Sequence, residues 1–581
     1  MLRHLTLLTL LAFATAWLAF NNIHQPTATN KLAGNISKKI NIKSCGPDWE
    51  AFNNLGEEID IPIIPGSGNV TWKITTQSDS AQMYFNQGMN MYYSFHIIEA
   101  MASFRKAMKF DAESPMLFWA EALTYGPNIN DLGYAASPAA MQAVKNANQF
   151  INKATPTEKA LIAAMSIRYT NDSADATRKS LNMAYTAEMK KAYDLYPNHP
   201  DVQALYADAM MLEHPWDLWN INGTPKPWTP PIEEVLEKLL AKSPNHPGAN
   251  HYYIHVMEPS PYAAKALPSA ARLGKITPSL SHTVHMPSHI YLRTGDFNTG
   301  AKVNEEAITE YKKSIAAFAP VTGADFLYLI HNLHMQTTVA MLAGRSKYSV
   351  QSAMETAASV PEAYSLSPAP FGSGAQYIYM VPTLANIRFG NWEALVNAQA
   401  PNGNMIYANI LYHFGKGMAF AHEKKIADAY AALRQMKQLM KDSALYLPFG
   451  VFSPAIDGAR VAFGLLEGSI ALAQKDYKAA IVNYTKVVVI EENMVYTEPR
   501  DWLLNPKHYL GNAYVKAGDY SSAEKVFRKD LLNNNENGWA LYGIYQCLLA
   551  KKKSKEAAAM LARYKKAFSQ ADIKLVAAVC Y

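Results

Sequence analysis

The sequence predicts an all-α protein whose helical hairpins stack into a right-handed solenoid, without a β-sheet of consequence, and an internal repeat is the main reason. Matched positions in two segments, one beginning at Phe85 and the other at Tyr509, share a single offset of 423 residues. The matched positions are Gly88 with Gly511, Ala100 with Ala523, and Phe104, Arg105 and Lys106 with Phe527, Arg528 and Lys529. A third copy follows 34 residues later, where Ala557 corresponds to Ala523. That period is the length of a tetratricopeptide helix-turn-helix unit, so we expect antiparallel helix pairs that approach closely at small residues.

The N-terminus, residues 1–20, has the features of a secretory signal peptide. Arg3 precedes an apolar run from Leu5 to Phe20 that contains small residues where a signal peptidase could cut. An uncleaved N-terminal anchor is the alternative, and no cysteine follows the run closely enough to accept a lipid. We therefore expect an exported chain, periplasmic or extracellular, with no membrane contact apart from this segment.

The rest of the chain divides by composition into three segments. Residues 21–75 are rich in Asn, Pro, Gly and Thr and predict an extended lead-in. Residues 76–440 form a histidine-rich solenoid and residues 441–581 the C-terminal tetratricopeptide repeats. Helix-turn-helix junctions such as YLRTGDFNTGA and IRFGNWEA stand further apart than 34 residues in the middle of the chain. The central repeats should therefore carry insertions or longer helices, which commonly line one face of a solenoid.

The composition excludes several classes of protein. Hydrophobic residues make up 49% of the 581 positions, which is ample for a core, and charged residues only 18%. The net charge of +6 is spread without a basic run, so nucleic acid is not an expected partner. Three cysteines, Cys45, Cys547 and Cys580, exclude a disulfide framework, although one bridge from Cys45 to either of the others remains open.

Histidines are concentrated between His251 and His289. Five of the 16 histidines of the chain fall in this stretch, at 251, 255, 282, 285 and 289. His251, His255 and Glu258 stand at i, i+4 and i+7, so a helix would project all three from one face. Imidazole and carboxylate groups are ligands shared by zinc, copper and non-haem iron. The first half of the stretch therefore predicts a ligand face for a transition metal.

His282, His285 and His289 have a similar arrangement in the second half of the stretch, at i, i+3 and i+7. Pro287 interrupts them and is suited to the first turn of a helix, so the three residues should span a loop and the start of the next helix. Two such faces could enclose one metal or two. The competing interpretation is a buried network of hydrogen-bonded histidines without a metal.

Other polar residues could lie around these ligands. His331 and His334 stand at i, i+3 in an apolar helix, and His96 and Glu99 occupy the corresponding turn of the first repeat. For these four we expect supporting or hydrogen-bonding roles rather than ligation. Glu498 and Asp501 are acid/base candidates if they face the same groove. The Trp- and Pro-rich segment 213–231 predicts an ordered loop, either packing alone or the wall of a pocket.

The motifs HYYIHxxE and HMPSHIYLRxGDF, with FHIIEAMASFRKA and WAEALTYGPNIN near the start, resemble those of a family of bacterial tetratricopeptide-repeat proteins. The resemblance extends from about residue 80 to the C-terminus. It implies the fold more than an activity. The N-terminal segment departs from it, which leaves the localisation to be tested.

Two functions follow from these observations. The first is an exported repeat protein with a metal site at His251, His255 and one or more of His282, His285 and His289. Glu258 would be a ligand or the base that activates a bound water, in an oxidase (iron or copper) or a hydrolase (zinc). The substrate would be a small molecule. The second is a non-enzymatic scaffold whose concave groove binds a peptide or partner protein. No Gly-x-Ser-x-Gly elbow, phosphate-binding loop, dinucleotide fingerprint or HExxH pair is present.

Overall fold

The computed structural model describes residues 49–54, 61–130, 137–318, 326–500 and 502–580. All regular structure in these ranges is helical, and the β-interactions there amount to one isolated antiparallel bridge between Trp219 and Pro225. The all-α, helical-hairpin prediction is therefore confirmed.

The first half of the described chain holds fourteen α-helices. They are α1 (Trp49–Asn54), α2 (Asp79–Tyr93), α3 (Ile97–Phe110), α4 (Pro115–Thr124), α5 (Ser137–Gln149), α6 (Pro156–Met165), α7 (Arg178–Leu195), α8 (Pro200–Glu213), α9 (Thr229–Lys242), α10 (Pro247–Met257), α11 (Leu267–Ile276), α12 (Ser281–His285), α13 (Pro287–Thr294) and α14 (Phe297–Phe318).

Fourteen more follow in the second half. They are α15 (Phe326–Leu342), α16 (Ser346–Ser359), α17 (Glu362–Ser365), α18 (Phe371–Tyr379), α19 (Val381–Phe389), α20 (Trp392–Val396), α21 (Ile406–His422), α22 (Ile426–Leu439), α23 (Ala455–Ala473), α24 (Tyr477–Glu492), α25 (Pro506–Lys516), α26 (Tyr520–Asn533), α27 (Gly538–Ala550) and α28 (Ser554–Ala567). Short 3-10 helices lie at Ile151–Lys153, Ala263–Ala266 and Ser443–Tyr446.

In three hairpins, a glycine on the first helix allows close packing of an aromatic ring from the second. A Cβ atom on Gly88 would lie 2.4 Å from the ring of Phe104, and one on Gly511 would lie 2.4 Å from the ring of Phe527. The pairs α2–α3 and α25–α26 therefore pack in the same way, at the positions that the sequence repeat matches. Gly468 and Tyr484, with the same separation along the chain, are related in the same way between α23 and α24, because a Cβ atom on Gly468 would lie 2.3 Å from the ring of Tyr484.

Substitution of Gly511 by alanine should destabilise the protein by about 1–3 kcal/mol, because the buried Phe527 ring cannot move aside without repacking. Gly274→Ala is the matched control. It lies inside α11, and its Cβ would meet nothing closer than 3.7 Å. Both substitutions raise the helix propensity by the same amount. A difference in melting temperature between the two variants should therefore report the clash with the Phe527 ring alone. Equal melting temperatures would contradict this account of the hairpin.

Short helices interrupt the pairing in the middle of the chain, where the sequence predicts insertions. Helices α11 to α13 have ten, five and eight residues, whereas α14 has 22. Helix α14 packs on α12, α13 and α15. Of the two largest clusters of buried apolar side chains, one extends from Trp49 to Ile290 and includes residues of α11 and α13, and the other extends from Met341 to Val579.

The lead-in differs from the extended segment predicted for residues 21–75. Helix α1 lies within it, because Trp49 and Phe52, one turn apart, bury their rings together, with centroids 5.8 Å apart. Trp49 also packs on Tyr125, at 5.0 Å. Residues 61–78 contain no regular element.

Several predictions concern residues outside the described ranges. The signal peptide or anchor at 1–20, Cys45 and Asp501 are among them. Cys547 and Cys580 are described and are free thiols. In the described ranges, no helix combines the length and apolar character that crossing a bilayer requires. Export and the boundary at residue 440 stay predictions.

Candidate metal centre

Helix α10 carries His251 and His255 and lies close against α2. Pro247 occupies its first turn, and the side chain of His246 caps it by accepting the backbone N–H of Ala249, at 3.1 Å. Gly248 permits the close approach, because a Cβ atom there would lie 2.5 Å from the ring of Tyr93. As a result, Nδ1 of His251 donates to the carbonyl oxygen of Tyr93, at 2.7 Å.

His251, His255 and His282, here called the first triplet, bring their Nε2 atoms together. The Nε2 of His251 lies 2.9 Å from that of His255 and 3.1 Å from that of His282. Burial and the neighbouring His255 hold the pKa of His251 well below its usual range, and the pKa of His282 is lowered in the same way. Both rings are therefore neutral at physiological pH, which is the state that binds a metal.

His285, His289 and His331, the second triplet, form a similar group. The Nε2 of His289 lies 2.8 Å from that of His285 and 3.3 Å from that of His331. Nδ1 of His285 donates to Oδ1 of Asn304, at 2.5 Å. The amide of Asn304 is itself oriented, because its Nδ2 donates to the carbonyl of Gly300, at 2.9 Å.

Glu258 links the two triplets. One carboxylate oxygen accepts from Nδ1 of His255, at 3.0 Å, and the other contacts Nδ1 of His289. Burial alone would raise the pKa of Glu258, but His289 and His255 outweigh it and lower the pKa to about 2. With both oxygens engaged, Glu258 orients two imidazoles, and its geometry does not suit the role of ligand or base that the sequence suggests.

These partners determine which nitrogen of each ring holds the proton. His251, His255, His285 and His289 all direct Nδ1 at an oxygen acceptor, so Nδ1 holds a proton in each ring, and Nε2 holds a lone pair whenever the ring is neutral. The Nε2 atoms of neighbouring rings lie 2.9 Å apart in the first triplet and 2.8 Å apart in the second. Two neutral rings repel each other at this distance unless a metal ion or a second ring proton lies between the nitrogens.

The two triplets stand side by side. Ring centroids are 6.4 Å apart for His255 and His289 and 6.2 Å apart for His282 and His285. The two triplets are therefore adjacent at two pairs of rings. This arrangement suits two neighbouring ions rather than the single shared ion that the sequence also allows.

The structure places the remaining predicted residues around the triplets. His331 joins the second triplet, whereas the sequence suggests only a supporting role. His96 lies at the start of α3, where its Nε2 faces the backbone N–H of His282 at 3.5 Å and its Nδ1 lies 3.6 Å from Glu99. His334 belongs to neither triplet. His282 and His285 lie in the short helix α12 rather than in a loop, and Pro287 begins α13 as predicted.

Two aromatic residues, Phe95 and Trp216, pack against the first triplet. The ring of Phe95 contacts all three rings of the first triplet, at 4.5 to 5.8 Å between centroids. Trp216 meets His255 edge-on, at 5.3 Å. Both have positive φ, of 57° and 61°, a strained conformation for a bulky residue that tends to occur at functional sites.

A cavity of about 500 Å³ opens onto both triplets. Its wall includes His255, His282, His289 and His331, and Trp216 from the loop of residues 213–231. Glu498 also lines it, and burial, reinforced by the charge of Glu258, raises the pKa of Glu498 to about 8. The loop therefore contributes a pocket wall, and Glu498 is a buried acid that holds its proton at neutral pH.

Comparisons with known proteins add little to this geometry. No protein-family model and no curated protein matches the chain. The APC/C hetero-tetramer Cut9-Hcn1 superposes with a TM-score of 0.29 and 13% identity, over 90% of this chain and 81% of that one. The human IFIT1 dimer with m7Gppp-AAAA superposes with a TM-score of 0.32 and 11% identity, over 75% of this chain and 87% of that one. Likenesses this weak carry no conclusion about function.

Proposed function

We propose that each triplet binds one transition-metal ion and that the chain is a metal-dependent enzyme acting on a small molecule in the adjoining cavity. The observation that carries the proposal is the close approach of the Nε2 atoms within each triplet, while the Nδ1 atoms face oxygens of Tyr93, Glu258 and Asn304. A metal ion turns these repulsive contacts into coordination bonds.

The ligand set argues against non-haem iron and fits copper or zinc. Each triplet offers three imidazoles and no carboxylate, whereas non-haem iron sites commonly include a carboxylate ligand. Copper and zinc both accept three imidazoles with an open position. Two neighbouring copper ions can together exchange two electrons with dioxygen, so we favour an oxidase over a hydrolase. Zinc in both triplets would instead favour hydrolysis through a metal-bound water.

The chain's own residues would prepare this chemistry. Glu258 fixes the orientation of His255 and His289 and supplies one negative charge between the two ions. Phe95 and Trp216 pack against the first triplet and make its surroundings apolar. Glu498, protonated at neutral pH, can donate a proton toward a substrate held in the cavity.

Metal analysis of the purified full chain is the direct test. We expect about two copper ions per chain, about one after His251→Ala and about one after His331→Ala, because each substitution removes a ligand from one triplet. His413→Ala, at a partly exposed histidine outside both triplets, is the control and should keep both ions. Protein that binds no more metal than a chain lacking both triplets would contradict the proposal.

The scaffold interpretation remains the alternative. The helical-repeat architecture supports it, because stacked hairpins present extended surfaces to peptides and proteins. Without a metal, a proton on His289 would fill the gap to His285, since the adjacent Glu258 outweighs burial and raises the pKa of His289. The triplets would then be a structural network, and metal analysis would find no ion.

A further inference from the structure

The cavity in front of the triplets has a mostly apolar wall. Aromatic side chains dominate it, among them Phe95, Trp216, Tyr328, Phe371, Phe449 and Phe452. Its volume of about 500 Å³ lies within the range of small-molecule sites. Tyr328 also packs on His282, with ring centroids 4.4 Å apart, so the apolar wall continues directly into the first triplet.

Apart from metal ions bound by the triplets, the cavity offers no counter-ion to a charged ligand. Among the described residues that line it, there is no lysine, arginine or aspartate, and Glu498 is the carboxyl group. Tyr496 contacts an oxygen of this carboxyl group through its hydroxyl. A carboxylate or ammonium group on the ligand would lose its hydration without gaining an opposite charge, and this cost is large in an apolar site.

His334 supplies one of the unsatisfied polar atoms of the cavity wall, together with Nδ1 of His282 and Oε2 of Glu498. It lies on α15, three residues after His331, lines the cavity and is only 6% exposed. Its Nε2 is buried and has no hydrogen-bond partner in the protein. Its ring meets Tyr377 edge-on, at 6.1 Å. A buried imidazole nitrogen without a partner is costly, and a ligand that supplies a hydrogen bond would remove that cost.

We propose that the cavity binds a neutral alkyl-substituted phenol or a close relative, with the hydroxyl group hydrogen-bonded to Nε2 of His334 and the apolar body among the aromatic side chains. The identification of this molecule as the substrate rests on the proposed metal-dependent function. The binding itself depends on the cavity and His334, so it can be measured with and without metal.

Three ligands of similar size separate the contributions. We would titrate 4-tert-butylphenol, its methyl ether 4-tert-butylanisole, and the anion 4-tert-butylbenzoate into the full chain by calorimetry. The phenol should bind best, the ether about tenfold more weakly, because it cannot donate to His334, and the benzoate should not bind measurably to the chain freed of metal. Equal affinity for the phenol and the benzoate, or no binding of the phenol, would overturn the proposal.

Two variants locate the binding. His334→Leu should lower the affinity for the phenol about tenfold and leave that for the ether unchanged. Gly374→Phe should abolish binding of both, because Gly374 lines the cavity and a Cβ there meets nothing within 4 Å. If His334→Leu leaves the phenol affinity unchanged, or Gly374→Phe still binds it, the assigned position is wrong.

Repeating the titrations on metal-free protein distinguishes this proposal from the previous one. If the chain binds the phenol but takes up no metal when copper is supplied, the cavity assignment is supported and the metal-dependent enzyme is contradicted. If the chain holds two ions but binds neither the phenol nor the ether, the metal sites are supported and the cavity assignment is contradicted.

Discussion

Removal of metal by a strong chelator should lower the melting temperature of the purified chain by about 2 °C for each triplet, and re-addition of copper should restore it. An ion that binds only the folded state at about 100 times its Kd adds about 2.7 kcal/mol of stability. In a chain of this length that corresponds to a shift of a few degrees, because the unfolding entropy is large. The first triplet also closes the loop between His255 and His282, which the metal would hold in the folded state only.

Double substitutions make this expectation specific. His251→Ala and His282→Ala remove ligands of one ion, so the second substitution should add little to the first. His282→Ala and His331→Ala act on different ions, so their effects should add. The sequence alone also allows His255 and His285 to share an ion. In the structure they lie in different triplets, so the stability losses from His255→Ala and His285→Ala should add. An unchanged melting temperature with chelator, and simple addition in every pair, would favour the scaffold.

Substitution of Glu258 by glutamine should weaken metal binding about 10–100-fold in at least one triplet. A carboxylate accepts from both His255 and His289, whereas a carboxamide has one acceptor oxygen and one donor nitrogen. One ring must then move its proton to Nε2, where it blocks coordination. Competition titrations with a copper chelator would measure both sites, and we expect one to keep its affinity better than the other.

Glu158→Gln is the matched control for this experiment. Glu158 is also buried, at 2% exposure, and accepts from the backbone N–H of Thr75, at 2.7 Å, and from its hydroxyl, at 2.6 Å, far from either triplet. Its substitution should reduce stability and leave both metal affinities unchanged. If both variants behaved alike, Glu258 would serve the fold rather than the metal.

The fold could be predicted from the sequence because the contact between glycine and an aromatic ring is made within a single hairpin. Gly511 and Phe527 lie in the two helices of one hairpin, so their spacing survives any change elsewhere and repeats visibly at Gly88 and Phe104. Helix α1 could not be predicted in this way. Its formation depends on Trp49 meeting Tyr125, a contact between distant parts of the chain.

The candidate site could be predicted in part. The spacing of His251 and His255 places both on one face of a helix, and the structure brings them to His282. His331 was not distinguishable from His334, because both lie on one apolar helix and only the packing of α15 against α14 decides which ring reaches the second triplet. Asn304 and Phe95 carry no pattern at all, since each acts through a contact made by the tertiary fold.

Anomalous X-ray scattering from crystals of the copper-loaded chain, recorded on both sides of the copper edge, would test the central claim most directly. The account predicts two copper peaks, each about 2.0–2.2 Å from three Nε2 atoms, one in the first triplet and one in the second. No peak at either triplet, with water or protons between the imidazoles, would contradict it.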